Sequence, residues 1–400
     1  MEKDVDSSWA SEMRLILQRE GVITMDFSFT EEQEMLRRAA RDFLTKECPK
    51  SLVRQMEEDD KGYSPELWRK MSEQGWLGLP FPGEYGGGGC NFVDLVALLE
   101  EMGRALLPGP YLSTVVLCGL AILDAGTEEQ KQEFLPRITS GEIIMALAMT
   151  ESSTRFDAAS IAVRATPDNQ DYIIDGTKLF VADAQVADYL LCVTRTKDGA
   201  AEKGITLFLV DAKSPGITYT PLLTIADDKQ CEVSFEKVRV PKKNMVGKLN
   251  QGWAQVQKIV ARGAVAHCAE MLGGAQQVLE MSVDYAKERV QFGRPIGSFQ
   301  AIHHHCANMA VDVYASRYIT YQTAWKVKEN LPFARDVSTA KAWVSDAYQR
   351  ITSLGHEIHA TISFTKDHDM QLYFRRAKKA ELAFGDGDFH REVLVQELGL

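Results

Sequence analysis

The stretch Tyr285-Ala286-Lys287-Glu288-Arg289-Val290-Gln291-Phe292-Gly293-Arg294-Pro295-Ile296-Gly297-Ser298-Phe299-Gln300 decides how this chain is read. It lies where one long amphipathic segment, Trp253 to Arg289, gives way to another, Phe299 to Leu331. Apolar residues recur at helical spacing on both sides, so the stretch is expected to be a turn between two helices. Two more such segments follow, Val337 to His359 and Met370 to Phe384. Four long helices on one chain predict a bundle over residues 247–400.

Upstream the pattern changes. Ile143 to Thr150, Ser160 to Ala165, Asp171 to Ile174, Tyr189 to Thr194, Ile205 to Val210 and Cys231 to Val240 are short runs rich in β-formers. Asp175-Gly176 and Asp198-Gly199 read as turns between them. Residues 143–246 are therefore expected to form a mostly antiparallel β domain. Residues 25–142 read as helical. Thr30 followed by Gln33 is a capping-box pattern, and Met35, Leu36, Ala39, Phe43 and Leu44 repeat behind it. Trp68, Met71, Trp76 and Leu77 form one stripe, and Val93, Leu95, Val96, Leu99 and Met102 another. Gly86 to Gly89 is a loop without the Gly-Lys-Ser/Thr of a nucleotide-binding P-loop. Residues 1–24 read as an extension in which Leu15, Ile16, Leu17 and Val22 suit one short helix. The expected fold class is α+β multidomain: N-terminal helical domain, central antiparallel β domain, C-terminal four-helix bundle.

Composition excludes several classes of function. The chain has 400 residues, 45% hydrophobic and 25% charged, which is ordinary for a globular protein. Lys+Arg 45 against Asp+Glu 56 leaves a net charge of -11, and nothing favours nucleic acid. Apolar stretches such as Thr114 to Leu123 are too short for a membrane span, and the acidic N-terminus does not read as a signal peptide. The seven cysteines lie far apart with no CxxC pair, so neither a disulfide framework nor a zinc site is expected, and the chain reads as cytoplasmic. His303-His304-His305-Cys306 is no metal site either, because consecutive helical residues diverge by about 100°.

With Tyr85-Gly86-Gly87, Met149-Thr150-Glu151, Asp157-Ala158, Gly176-Thr177-Lys178, Val186-Ala187-Asp188 and Phe374-Arg375-Arg376-Ala377-Lys378, the stretch at 285–300 resembles the acyl-CoA dehydrogenase family from about residue 25 to 400. The ending Phe374 to Asp386 looks like the heteromeric branch that degrades steroid side chains or dicarboxylates. The resemblance implies FAD bound across a subunit interface and an acyl-CoA thioester as substrate. It also implies a homotetramer or dimer of dimers, and electrons leaving to an electron-transfer flavoprotein. A carboxylate base would take the α proton while the β hydride passes to flavin. Met149, Thr150, Phe180 and Val181 would border the flavin. Arg289, Gln291, Phe292 and Gln300 would meet the dinucleotide; Arg289 offers a planar charged donor set suited to pyrophosphate, although Lys-Glu-Arg is also a common solvated helix face.

The chain departs from the family pattern at the chemistry. One family position for the base holds Phe384 and the other Gly263. The flavin-side tryptophan and threonine are Phe180 and Ala182, a Gly-Ser pair is Arg155-Phe156, and a glycine run reads His359-Ala360-Thr361-Ile362-Ser363, whose side chains are expected to crowd a pyrophosphate. Asp386, two residues past the lost glutamate, is the candidate catalytic base, although it and Asp388 also suit the cap of a last helix, 389–398, which ordinary preference favours. Asp183 is a weaker candidate, and Arg262 a candidate substrate contact displaced by two positions from the family arginine. The function expected is an FAD-dependent acyl-CoA dehydrogenase with a displaced base. The alternatives are a non-catalytic partner subunit and another flavoenzyme of this fold, such as a monooxygenase or nitroalkane-type oxidase.

Overall fold

A computed structural model describes residues 28–153, 156–198 and 202–399. The expected helix within residues 1–24 and the substituted Arg155 lie outside them.

The first helix, α1 (Glu31–Glu47), starts where its capping box places it: Thr30 Oγ1 accepts the Gln33 N–H at 3.2 Å, and Gln33 Oε1 accepts the Thr30 N–H at 3.1 Å. Its buried residues are Ala40 and Leu44; Met35 and Ala39 face outward instead of joining the stripe. Helices α2 (Lys50–Glu58), α3 (Pro65–Glu73) and α4 (Phe92–Ala105) follow, then a π-helical turn Leu112–Gly119 that runs into α5 (Leu120–Ala125), and α6 (Glu128–Thr139). Helix α4 is buried along most of its length, including Glu100 and Glu101. Those carboxylates are satisfied: Tyr321 Oη donates to Glu100 Oε2 at 2.7 Å and Arg41 forks onto Glu101 at 2.7 and 2.9 Å.

An eight-stranded sheet comes next: β1 (Met145–Ala148), β2 (Arg164–Asp168), β3 (Asp171–Ala182), β4 (Tyr189–Arg195), β5 (Ile205–Asp211), β6 (Ile217–Leu222), β7 (Gln230–Pro241) and β8 (Met245–Val246). The order is β6-β7-β3-β2-β4-β5-β8, with β1 on β4. Pairing is antiparallel except for β1 with β4 and the single β2–β4 register at Arg164 and Arg195. Asp175-Gly176 is not a turn between strands. β3 runs through it with a register shift, and Asp175 Oδ1 accepts the Lys237 N–H of β7 at 2.7 Å.

The C-terminal bundle consists of α7 (Trp253–Glu288), α8 (Gln300–Lys328), α9 (Ala334–His359) and α10 (Met370–Leu382), with a shorter α11 (Gly387–Glu397) against α9. A two-stranded hairpin, β9 (Val290–Gln291) and β10 (Arg294–Pro295), joins α7 to α8. Helices α4 and α7 cross in backbone contact: a Cβ at Gly273 would meet Glu100 O at 1.8 Å, so only glycine permits the crossing. This crossing seats α7 against the helical domain, while the Gly252 N–H just before the helix donates to Ile205 O of β5 at 2.8 Å. Among the described residues no helix is long and apolar enough to cross a membrane.

Candidate active site

The site is walled on one side by the ends of β1 and β3. Lys178 is fully buried, and its Nζ donates to Glu151 Oε1 at 2.7 Å and to the Met149 carbonyl at 2.9 Å. Glu151 in turn accepts the N–H groups of Ala162 and Val163 at 2.9 and 3.1 Å. The Leu179 N–H donates to Thr150 O at 2.8 Å. Met149 and Thr150 are thereby clamped from both sides. A bulge between Lys178 and Val181 then turns Phe180 into the left-handed region, φ 54°, leaving it 51% exposed while Val181 is buried. Asp183 is also left-handed, φ 61°, and Ser113 donates its hydroxyl to that carboxylate. Burial pushes Asp183 up to about 6, with the Ser113 bond opposing.

Helices α7 and α10 supply the opposite side. Phe384, following α10, lies with its ring against Gly263, so that a Cβ at Gly263 would meet Phe384 Cζ at 2.8 Å. The two positions at which the sequence resemblance leads one to expect a base, Phe384 and Gly263, are therefore in contact, with the aromatic ring packed on the glycine. Phe384 is held left-handed at φ 58°, a conformation costly for a bulky residue and most often found at functional sites. Buried Lys341 holds this turn: Nζ donates to the carbonyls of Ala380 (3.0 Å), Glu381 (2.9 Å) and Gly385 (3.0 Å), and to Ser345 Oγ at 3.0 Å. His390 Nε2–H donates to the Phe384 carbonyl at 3.0 Å; burial lowers this imidazole to about 4.

Asp386 and Arg262 are otherwise committed. Asp386 Oδ1 accepts the Phe389 N–H at 2.8 Å and caps α11, so the capping alternative describes the side chain. Arg262 Nη1 pairs with Asp124 Oδ2 at 2.7 Å, tying α7 to α5. The cap is the role that the type and position of Asp386 already suit, whereas Asp124, the partner that draws Arg262 aside, is not revealed by sequence spacing.

A charged cluster completes this side. His267 Nδ1 lies 3.2 Å from Glu270 Oε2, and Lys379 Nζ lies 2.9 Å from Asp228 Oδ2. Burial pushes Glu270 up to about 7, the Lys379 and Arg376 cations opposing, although 30% of its side chain is exposed. A carboxyl whose folded pKa is raised contributes stability that is complete below its ordinary 4.5 and is lost as pH rises through about 7. A Glu270→Gln variant is therefore expected to match the parent in stability below pH 4.5 and to exceed it above pH 7. The gain is ~1–2 kcal/mol once solvent screening is allowed for. Urea midpoints at the two pH extremes check this; equal midpoints at both would contradict it.

The remaining expected residues lie at the hairpin end of the bundle. Arg289, Gln291 and Gln300 are exposed, and Phe292 is 91% exposed at φ 52°. They are not part of this chain's own cleft wall but form a separate outward-facing edge. Tyr285 stacks on His359 with centroids 4.5 Å apart, placing the 359–363 turn beside it. Ala360 there adopts φ 55° and ψ −145°, a conformation that is essentially glycine's. Ser363 turns inward and donates its hydroxyl to Ala360 O at 2.7 Å, while Ala360, Thr361 and Ile362 stand on the surface. Among the described residues, no group of three His, Cys, Asp or Glu could hold a metal.

These features fit FAD. The clamped Met149–Thr150 edge and the strained, exposed Phe180 ring suit one face of a flavin. The exposed Arg289, Gln291 and Gln300 offer donors for a pyrophosphate. Ala182 supplies no hydroxyl on the flavin side.

Residues 30–142, 146–238 and 250–399 match, respectively, the N-terminal, middle and C-terminal domains of acyl-CoA dehydrogenase. The chain is 32% identical to a probable acyl-CoA dehydrogenase, YngJ, of Bacillus subtilis, over 94% of this chain and 100% of that one. Its fold superposes on butyryl-CoA dehydrogenase from Megasphaera elsdenii with a TM-score of 0.87 at 28% identity, covering 94% of this chain and 100% of that one. It superposes also on a chain of the ChsE4-ChsE5 complex from Mycobacterium tuberculosis, with a TM-score of 0.86 at 29% identity, covering 94% and 99%. The chain belongs to the acyl-CoA dehydrogenase family of FAD-dependent oxidoreductases.

Proposed function

We propose that this chain dehydrogenates an acyl-CoA thioester between its α and β carbons, with electrons leaving to an electron-transfer flavoprotein, as a cytoplasmic oligomer. The observation that carries the proposal is the edge Met149–Thr150, held by buried Lys178, beside the exposed Phe180 ring. Bound there, FAD supplies the acceptor for a hydride. The chain's own part is to orient the thioester, to exclude water and to take the α proton. Arg289, Gln291, Phe292 and Gln300 face outward, which suits a dinucleotide held by a neighbouring chain, so the assembly completes each site.

The test is flavin content. Arg289→Ala is expected to purify with less than half the flavin of the parent, because a charge-assisted hydrogen bond contributes about 1.5–3 kcal/mol. Equal occupancy in both proteins would remove the hairpin from the cofactor site. A second reading, a subunit that serves a homologous partner and lacks its own chemistry, is favoured by one observation: the Phe384 ring lies against Gly263 where a carboxylate is expected. The two-protein composition of the ChsE4-ChsE5 complex makes such a pairing reasonable. Co-expression with a neighbouring homologue, compared with the chain alone, separates the two readings.

A further inference from the structure

Phe384 and Gly263 cannot accept a proton, and Asp386 is committed to a helix end. Of the titratable side chains beside them, His390 and Lys341 are engaged on the carbonyls of Phe384 and Gly385, which leaves His267. It lies one turn beyond Gly263 on α7, and its ring centroid is 5.3 Å from that of Phe384. Spacings of four and then three residues put Gly263, His267 and Glu270 on one helix face. The imidazole is only 7% exposed. Its Nδ1 closes no hydrogen bond among the described residues, yet lies 3.2 Å from Glu270 Oε2. An imidazole buried without a firm partner beside the place of a missing base is an unexplained cost unless it serves the reaction.

We propose that His267 is the general base of this chain and that Glu270 is the residue that positions its imidazole. The inference rests on the reading of the chain as a dehydrogenase. A small rotation of the two side chains would let Glu270 Oε2, 3.2 Å away, take the Nδ1–H, which leaves the lone pair of Nε2 for the substrate. The α C–H bond breaks and its proton passes to Nε2. The electron pair left behind forms the carbon–carbon double bond, and FAD, when bound, would supply the two-electron acceptor for the β hydride that departs, so that the thioester would be oxidised by two electrons. Imidazolium then lies beside the Glu270 carboxylate.

Electrostatics supports the geometry. Burial, with Lys379 and Lys341 opposing a positive ring and Asp228 favouring it, keeps His267 well below its usual range and hence in the neutral, basic form. Glu270, faced by Lys379, Arg376 and Asp183, is about 7. The pair titrates as a unit, and the rate is expected to rise with pH through about 7 as Glu270 ionises.

The experiment uses the flavin-loaded chain, mixed anaerobically with butyryl-, octanoyl- and palmitoyl-CoA. His267→Gln is expected to slow flavin reduction ~10²–10⁴-fold while flavin content and acyl-CoA affinity by calorimetry stay those of the parent. Glu270→Gln is expected to lose the rise near pH 7, and Glu270→Asp to keep it at a lower rate. In nitrogen-15 histidine spectra of the chain, with or without flavin, one neutral imidazole protonated at Nδ1 is expected to be absent from His267→Gln. Unchanged reduction in His267→Gln, or His267 protonated at Nε2 in the spectra, overturns the base assignment and leaves the dehydrogenase reading intact. A parent chain that binds these esters without reducing its flavin, alone or with a homologous partner, overturns both.

Discussion

Lys178→Met is expected to destabilise the protein by ~3–5 kcal/mol, the size of effect seen when one member of a buried ion pair is removed. Lys178 is without solvent exposure, and its partner Glu151 would be left as a buried carboxylate with only backbone donors. A loss of that size is a large part of the 5–15 kcal/mol that holds a typical domain together. The same substitution frees the Met149 carbonyl, and with it the edge proposed to border the flavin, so flavin content is expected to fall in parallel. Urea unfolding with an unchanged slope, read beside the visible spectrum, measures both. Removing the charges together, as Lys178→Met with Glu151→Leu, is expected to cost less than Lys178→Met alone, because no unpaired charge remains. A destabilisation below ~1 kcal/mol in the single variant would show that the clamp is not what holds the wall.

The second large effect belongs to Lys341→Met. One ammonium with three protons serves four acceptors here, three of them carbonyls around the turn that carries Phe384. Each buried carbonyl left unsatisfied costs about 1–3 kcal/mol, so a loss of ~3 kcal/mol or more is expected, together with displacement of Phe384 from Gly263. A pH signature accompanies it. Burial lowers Lys341 from its ordinary 10.5 to about 8, so between these values the unfolded chain binds the extra proton. Stability from this group is therefore least below pH 8 and rises from pH 8 toward 10.5, and that rise is expected to vanish in Lys341→Met. The same slope in both proteins would contradict the assignment.

These two lysines show where the sequence is legible and where it is not. The capping box at Thr30 and the helical periods of the bundle come from contacts between residues near in the chain, and they appear where their spacing places them. Lys178 and Lys341 do not, because lysine is almost always exposed and only tertiary partners from other elements mark them as buried. Asp175-Gly176 has the composition of a turn, but pairing with β7 overrides it and makes a bulge. β6, with Ile217 and Tyr219 facing inward between exposed threonines, carries a period-2 signal too short to separate from loop.

At the site, counting from the motifs singles out Phe384 and Gly263 separately, but only the fold shows them in contact. His267 and Glu270 stand in plain view three residues apart on α7. Nothing in the sequence sets them apart from other helical polar residues until Phe384 is found against the same face.

The most direct measurement is the visible spectrum of the purified protein during anaerobic addition of acyl-CoA. A bound flavin whose absorbance bleaches on mixing, and returns when an electron-transfer flavoprotein is added, is the result expected of an acyl-CoA dehydrogenase. A chain that carries no flavin, or whose flavin stays oxidised with every acyl-CoA tried both alone and beside a homologous partner, would contradict it.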